Sequence, residues 1–199
     1  MDSAGAALRA RNLRTLAVLA GLFLVPLALA FFTYYGSSWR PARSLNHGVL
    51  IAPPRPLPQL ALPAVLPAGP AQGLPPGRWS LVYLGGGACD AACRQALFVM
   101  RAARLALNND IGRVAQVLLV TRDCCERAAL QRDYPGLTVL DATGEGAAPL
   151  LALFPADERA HTLFVVDPLG NLMMGYDARQ NPRGLLEDLQ KLLRLSHIG

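Results

Sequence analysis

The sequence has few charged residues and no dense cluster of one sign. Asp, Glu, Lys and Arg make up 17% of the 199 residues, and the net charge of +5 comes mostly from scattered arginines. A nucleic-acid-binding domain usually has a concentrated basic patch, often beside aromatic residues. None is present, so we expect no nucleic-acid partner.

The chain is also too short for two full domains and shows no internal repeat, which leaves one ordinary domain and a tail.

Cysteine is scarce as well. The four cysteines form two close pairs, Cys89/Cys93 and Cys124/Cys125. A disulfide scaffold usually spreads its cysteines along the chain, whereas close pairs indicate metal binding or redox chemistry. For Cys89 and Cys93 the simpler alternatives are a structural disulfide or two small buried residues.

One long apolar run stands near the N-terminus. Residues 15–35, TLAVLAGLFLVPLALAFFTYY, contain no charge, and about 20 apolar residues suffice to cross a bilayer as a helix. Three arginines precede the run, which favours a cytoplasmic N-terminus. A cleaved signal peptide is the rival interpretation, because residues 28–30 read Ala-Leu-Ala. The run continues through Phe31 and Phe32, which favours an anchor. We therefore predict a single-pass protein of the bacterial inner membrane, with residues 1–14 in the cytoplasm and the C-terminal domain in the periplasm.

Proline is concentrated in residues 53–76, PPRPLPQLALPAVLPAGPAQGLPP. Because proline lacks a backbone donor and fixes φ, this composition argues against a regular helix or a central strand. The sequence therefore predicts a proline-rich spacer over residues 36–77 and a folded domain over residues 78–199.

The pattern of that domain is strand, helix, strand, helix, hairpin, helix. A parallel βαβ unit followed by an antiparallel hairpin and a helix is the thioredoxin arrangement, an α/β fold with a mixed sheet. Short apolar runs predict the strands, and apolar residues on one face predict the longer helices. The strands are expected at 79–84, 114–120, 137–140, 161–167 and 172–176, and the helices at 90–107, 126–132, 147–154 and from Pro182 onward.

The first cysteine pair lies between the first strand and the first helix of this domain. Free N–H groups and partial positive charge at a helix N-terminus stabilise thiolates. Two thiolates with one imidazole suit a copper ion, particularly Cu(I). The chain has three histidines, His47, His161 and His197. His161 begins the hairpin, where a lone histidine is more often a surface residue than a ligand.

Two segments carry a resemblance to a known family. Residues 81–93, LVYLGGGACDAAC, and 161–176, HTLFVVDPLGNLMMGY, resemble the Sco/SenC family in its Cys-x-x-x-Cys loop and in its later strand that begins with histidine. Members are membrane-anchored thioredoxin-fold proteins that bind copper and serve assembly of the copper centre of cytochrome c oxidase. The chain departs from the pattern at Asp90 and Arg94, where the family usually has proline, and at Ala160, where it usually has aspartate.

The resemblance implies a copper ion held by Cys89, Cys93 and His161. It also implies a partner that is an oxidase subunit with a copper centre, or another copper carrier, and it matches Asp123 to an acidic position of the family. This reading makes the protein an assembly factor rather than an enzyme. The alternative is a thiol–disulfide reductase acting through Cys89 and Cys93. Such reductases usually place a cis-proline before the hairpin strand, where this chain has Ala160 and His161.

Overall fold

The computed structural model describes residues 3–36, 46–123, 127–156, 159–196 and 198. The chain divides into two compact units, Met1–Ser44 and Leu45–Gly199. Cys124 and Cys125 lie outside the described residues. They follow the second predicted strand of the domain, and the carboxyl ends of parallel strands meet at one edge of a sheet. The sequence therefore predicts that this pair lies near the first pair and reduces or loads it, and this stays a prediction.

The first unit contains one helix, α1 (Ser3–Gly36). Its segment Arg11–Gly36 is long and apolar enough to cross a membrane, which agrees with the span predicted over residues 15–35. The large apolar side chains along it are exposed within this unit.

The second unit is built on one eight-stranded mixed sheet. Its order is β1-β8-β7-β4-β5-β6-β2-β3. The central strands β4, β5 and β6 are parallel, and all other neighbours are antiparallel. This confirms the thioredoxin-like α/β fold. The strands are β1 (Val49–Pro56), β2 (Leu62–Leu66), β3 (Gly69–Gln72), β4 (Trp79–Gly86), β5 (Val114–Arg122), β6 (Leu137–Asp141), β7 (Thr162–Val166) and β8 (Asn171–Asp177).

The spacer predicted over residues 36–77 is wrong for the part that forms β1, β2 and β3. β1 pairs only with β8 and β3 pairs only with β2, so both are edge strands, and an edge strand tolerates proline because one side of its backbone has no partner. β2 pairs on both sides but contains one proline, Pro63, which is exposed. The domain therefore begins about thirty residues earlier than the predicted boundary at residue 78.

Helices cover both faces of the sheet. α2 (Ala91–Leu105), α3 (Arg127–Asp133) and α5 (Pro182–Leu195) contribute to the hydrophobic cluster on one face, and α4 (Ala148–Leu151) contributes to the cluster on the other. α4 is shorter than the helix predicted over 147–154: a 3₁₀ turn, Glu145–Ala147, precedes it, and turns replace helix after Leu151. The β7–β8 turn has Gly170 at φ +87°, a conformation that glycine adopts without steric cost.

Candidate thiol and metal site

Cys89 and Cys93 lie where β4 passes into α2. Cys89 is in the connecting loop and Cys93 is in the first turn of the helix. Their Cα atoms are 5.0 Å apart and their sulfurs form a disulfide. Cys89 is 9% exposed and Cys93 only 1%. The structure thus brings the first predicted pair together in the hydrophobic core, with Cys89 the less deeply buried residue.

Hydrogen bonds hold this loop in one shape. Asp90 is the N-cap of α2, and its Oδ1 accepts from the Cys93 N–H at 2.9 Å. The Cys89 N–H donates to the Gly86 carbonyl at 3.1 Å, and the Arg94 guanidinium donates to the Cys89 carbonyl at 2.9 Å. Cys89 itself has φ +40°, a left-handed conformation that costs a non-glycine residue about 1–3 kcal/mol and is enriched at active sites and ligand-binding loops.

A cavity of about 500 Å³ borders the cysteine loop. Gly86, Asp90 and Ala160 are among its lining residues. The Tyr83 hydroxyl donates to the Ala160 carbonyl at 2.9 Å. This bond links β4, which leads into the cysteine loop, to the segment just before β7. Burial, assisted by the charge of Asp90, raises the pKa of Tyr83 to about 12. The phenol therefore remains a neutral hydrogen-bond donor at physiological pH.

His161 lies immediately before β7. Its carbonyl accepts from the Ala178 N–H at 2.7 Å, and its side chain is exposed. His161 lines a second cavity, together with His47, and does not line the cavity beside the cysteines. Among the described residues, no three His, Cys, Asp or Glu side chains are grouped to hold a metal ion. The three predicted copper ligands thus remain a prediction.

Sequence reasoning missed three residues that shape this region. Asp90 could have been found, because an aspartate three residues before the helical Cys93 is an N-cap pattern. Tyr83 reads as an ordinary strand residue, and its contact with Ala160 spans 77 positions. His47 lay inside the predicted spacer. The roles of these last two depend on strand pairing that no local pattern reveals.

Comparisons with known proteins agree with this architecture. A family model described as a transmembrane-like, thioredoxin-like, C-terminal domain matches residues 79–196. A search of curated proteins found no match. Many solved structures share the fold, among them the three that follow.

The apo Sco1 protein from Thermus thermophilus is 21% identical with a TM-score of 0.58, covering 76% of this chain and 99% of its own. Copper-bound yeast Sco1 is 13% identical with a TM-score of 0.59, covering 71% and 94%. A DsbF homologue from Corynebacterium diphtheriae is 13% identical with a TM-score of 0.55, covering 77% and 96%. At these identities the likeness establishes the fold of the second unit. Because the family model covers more than half of the sequence, the chain belongs to the family of transmembrane-like proteins with a thioredoxin-like C-terminal domain.

Proposed function

We propose that this protein is a membrane-anchored, Sco-like copper-binding protein that assists assembly of the copper centre of cytochrome c oxidase. The observation that carries the proposal is the bonded pair of sulfurs at the N-terminus of α2. Two sulfurs in contact can face a single ion once they are reduced. Thiolates are the ligands that select Cu(I), and the helix N-terminus favours the thiolate form.

Copper binding requires reduction of the disulfide first. A dithiol reductant supplies two electrons and two protons, the Cys89–Cys93 bond breaks, and two thiols form while the reductant becomes a disulfide. Both thiols release their protons when they bind Cu(I). His161 is the third ligand of the proposal. It follows Ala160, which Tyr83 holds at the cavity beside the cysteines, so its side chain must turn toward the sulfurs to complete the site.

The copper-bound form of yeast Sco1 supports the proposal, because that protein shares the fold and binds copper. The recipient that we propose is an oxidase subunit with a copper centre, or another copper carrier.

The proposal also includes an orientation, in which residues 1–14 are cytoplasmic and the folded domain lies in the periplasm. An alkaline phosphatase fused after residue 199 should be active, and an inactive fusion that is stably expressed would reverse the orientation.

The experiment is a Cu(I) titration of the reduced full-length protein in detergent. Cys124→Ser/Cys125→Ser serves as the background, so that only the first pair offers thiols. We expect one copper ion per chain and loss of most of the affinity in Cys89→Ser or Cys93→Ser. His161→Ala should weaken binding less, because two thiolates dominate a Cu(I) site.

His197→Ala is the matched control and should leave the titration unchanged. Absence of stoichiometric Cu(I) binding in the reduced parent would refute the copper proposal. Unchanged affinity in His161→Ala would remove only the third ligand.

A thiol–disulfide reductase is the second candidate, favoured by the disulfide and by the unequal exposure of the two cysteines. In that reaction the Cys89 thiolate attacks a target disulfide and releases one target thiol. Cys93 then attacks the mixed disulfide and releases the second target thiol, so two electrons pass to the target.

Cys93→Ser should then trap a mixed disulfide through Cys89, whereas Cys89→Ser should trap at least tenfold less. Equal trapping by the two variants would exclude this order of attack. The hypothesis that Cys124 and Cys125 reduce or load the first pair stays a prediction. Its sequence basis is that parallel strands β4 and β5 end at one edge of the sheet.

A further inference from the structure

Two of the three histidines in the chain line one cavity of about 340 Å³. His47 lies just before β1, and His161 lies just before β7. Asp177 and Gly175 of β8 lie between them on the cavity wall. This cavity is separate from the one beside Cys89 and Cys93, and the thiol chemistry proposed above does not use it.

Strand pairing brings the two histidines to the same end of the sheet. β8 lies between β1 and β7. Val49 of β1 pairs with Gly175 of β8, and Thr162 of β7 pairs with Asp177 of β8. Since neighbouring strands are about 4.8 Å apart, the backbones at His47 and His161 are roughly 10 Å apart on either side of β8. Two imidazole side chains extending inward from that separation can meet at one ion.

His47 is held in place by three contacts with α5. Its backbone N–H donates to the buried carboxylate of Asp188 at 2.8 Å. Its Nε2 lies 3.0 Å from Glu187 Oε2. Gly184 allows the close approach, because a Cβ at that position would lie 3.0 Å from His47 Cβ and Cγ. The fold therefore fixes the backbone of His47, and Glu187 orients its half-exposed imidazole.

The contact with Glu187 also selects which nitrogen is available. When Nε2 donates its proton to the carboxylate, the lone pair of the neutral ring is on Nδ1. A histidine that binds a metal usually donates its other ring N–H to a carboxylate or carbonyl in this way, which fixes its tautomer and raises its basicity. Arg183 holds Glu187 from the other side, at 3.0 Å, so the carboxylate is itself oriented.

The volume of about 340 Å³ leaves room for an ion with several waters, since one water takes about 30 Å³. At Gly175 the wall is closely packed, because a Cβ there would lie 3.0 Å from the Thr162 methyl carbon. The Asp177 carboxylate accepts hydrogen bonds from Arg179 at 2.7–3.1 Å and also interacts electrostatically with His161. The described lining therefore offers two imidazoles, beside a carboxylate that Arg179 already holds.

We propose that this cavity binds one divalent transition-metal ion through the imidazoles of His47 and His161, with water in the remaining positions. Imidazole suits Cu(II), Zn(II) and Ni(II), whereas the cysteine pair suits Cu(I). The site exists with the Cys89–Cys93 disulfide intact, so it goes beyond the proposed function. His161 is common to the two sites, and for this reason the imidazole site is filled only when His161 is not bound to copper beside the cysteines.

The test uses the untagged full-length protein in detergent, with the Cys89–Cys93 disulfide intact and with Cys124→Ser/Cys125→Ser as the background. Cu(II) alone is titrated and followed by electron paramagnetic resonance. We expect one Cu(II) per chain with hyperfine coupling to two imidazole nitrogens. His47→Gln and His161→Gln should each lower the affinity at least tenfold.

Glu187→Gln should lower the affinity by about ten- to a hundredfold, as loss of a carboxylate behind a ligating histidine does. His197→Gln and the exposed Glu145→Gln are matched controls and should not change it. Absence of Cu(II) binding, or equal affinity in His47→Gln and the parent, would overturn the proposal. His47→Gln should leave Cu(I) binding by the reduced protein unchanged, which separates this site from the thiol site.

Discussion

At the residue scale, Cys89 and Cys93 differ in burial because only Cys93 lies within α2. Cys93 belongs to the buried face of α2, together with Ala96, Leu97 and Met100. Cys89 precedes the helix and is held by backbone contacts with Gly86 and the Arg94 guanidinium. Both cysteines belong to the hydrophobic core cluster, and Cys93, at 1% exposure against 9% for Cys89, is the more deeply buried of the two. This inequality is what an incoming copper carrier or target disulfide would encounter.

Tyr83 supplies a prediction about stability at high pH. Burial and the Asp90 charge raise its pKa from 10.0 to about 12, so the folded state retains the phenol proton longer than the unfolded state. The resulting stabilisation is fully present below pH 10.0 and is lost as the pH rises to about 12. Tyr83→Phe should remove this component of the pH dependence.

The same substitution removes the hydrogen bond to Ala160 and should lower the free energy of unfolding by about 1 kcal/mol at neutral pH. Denaturant unfolding of both proteins across the alkaline range measures the two effects. A parent and a variant that lose stability in parallel above pH 10 would show that Tyr83 does not titrate as described. Burial also raises the pKa of Tyr134 and of Tyr176, so some alkaline loss should persist in the variant.

At the scale of elements, β1 docks on β8 through a residue with no room for a side chain. A Cβ on Gly48 would lie 2.7 Å from the Met174 sulfur and 2.9 Å from the Gly175 carbonyl oxygen. The methionine can move, but the carbonyl belongs to the sheet. The Gly48 N–H also donates to the buried Asp188 carboxylate at 2.8 Å, so this residue joins β1 to both β8 and α5.

Gly48→Ala should therefore destabilise the domain by about 1–3 kcal/mol, the usual cost of forcing atoms into packed space. Gly146→Ala is the matched control, because a Cβ there meets nothing within 4 Å, and it should be neutral or slightly stabilising. Urea unfolding of both variants measures the difference. Equal stabilities would mean that β1 is not packed against the sheet as described.

At the scale of the whole molecule, the first three strands complete both layers of the core. Leu57 and Leu62 belong to the hydrophobic cluster on one face, and Val65 and Leu66 belong to the cluster on the other. β1 covers the outer edge of β8, and β2 covers that of β6. Without these strands, both edges and their apolar neighbours would be exposed.

Two truncations test this boundary. Residues 46–199 should be monomeric and unfold cooperatively, because they retain all eight strands. Residues 78–199 should aggregate or unfold at much lower denaturant concentration, because they expose two sheet edges and lose four buried side chains. Light scattering and circular dichroism of the two fragments measure the outcome. Equal stability of the fragments would restore the boundary at residue 78.

Local patterns in the sequence were sufficient for the apolar N-terminal helix that can cross a membrane, the thioredoxin-like order of elements and the junction that carries Cys89 and Cys93. The charge-free run at 15–35 is local, and so are the apolar face of α2 and the turn at Pro168. The hydrophobic period and the end signals of each element lie within its own segment of the sequence. These features were predictable for this reason.

Tertiary structure alone decided the rest. The prolines at 53, 54 and 56 predict that this segment does not form a central strand. Only the pairing of β1 with β8 shows that it forms an edge strand. Likewise, His47 and His161 are 114 positions apart, and their common cavity arises because β8 pairs with both of the strands that follow them. Such contacts join residues far apart in the chain, so they depend on which strands pair, and no local period encodes that choice.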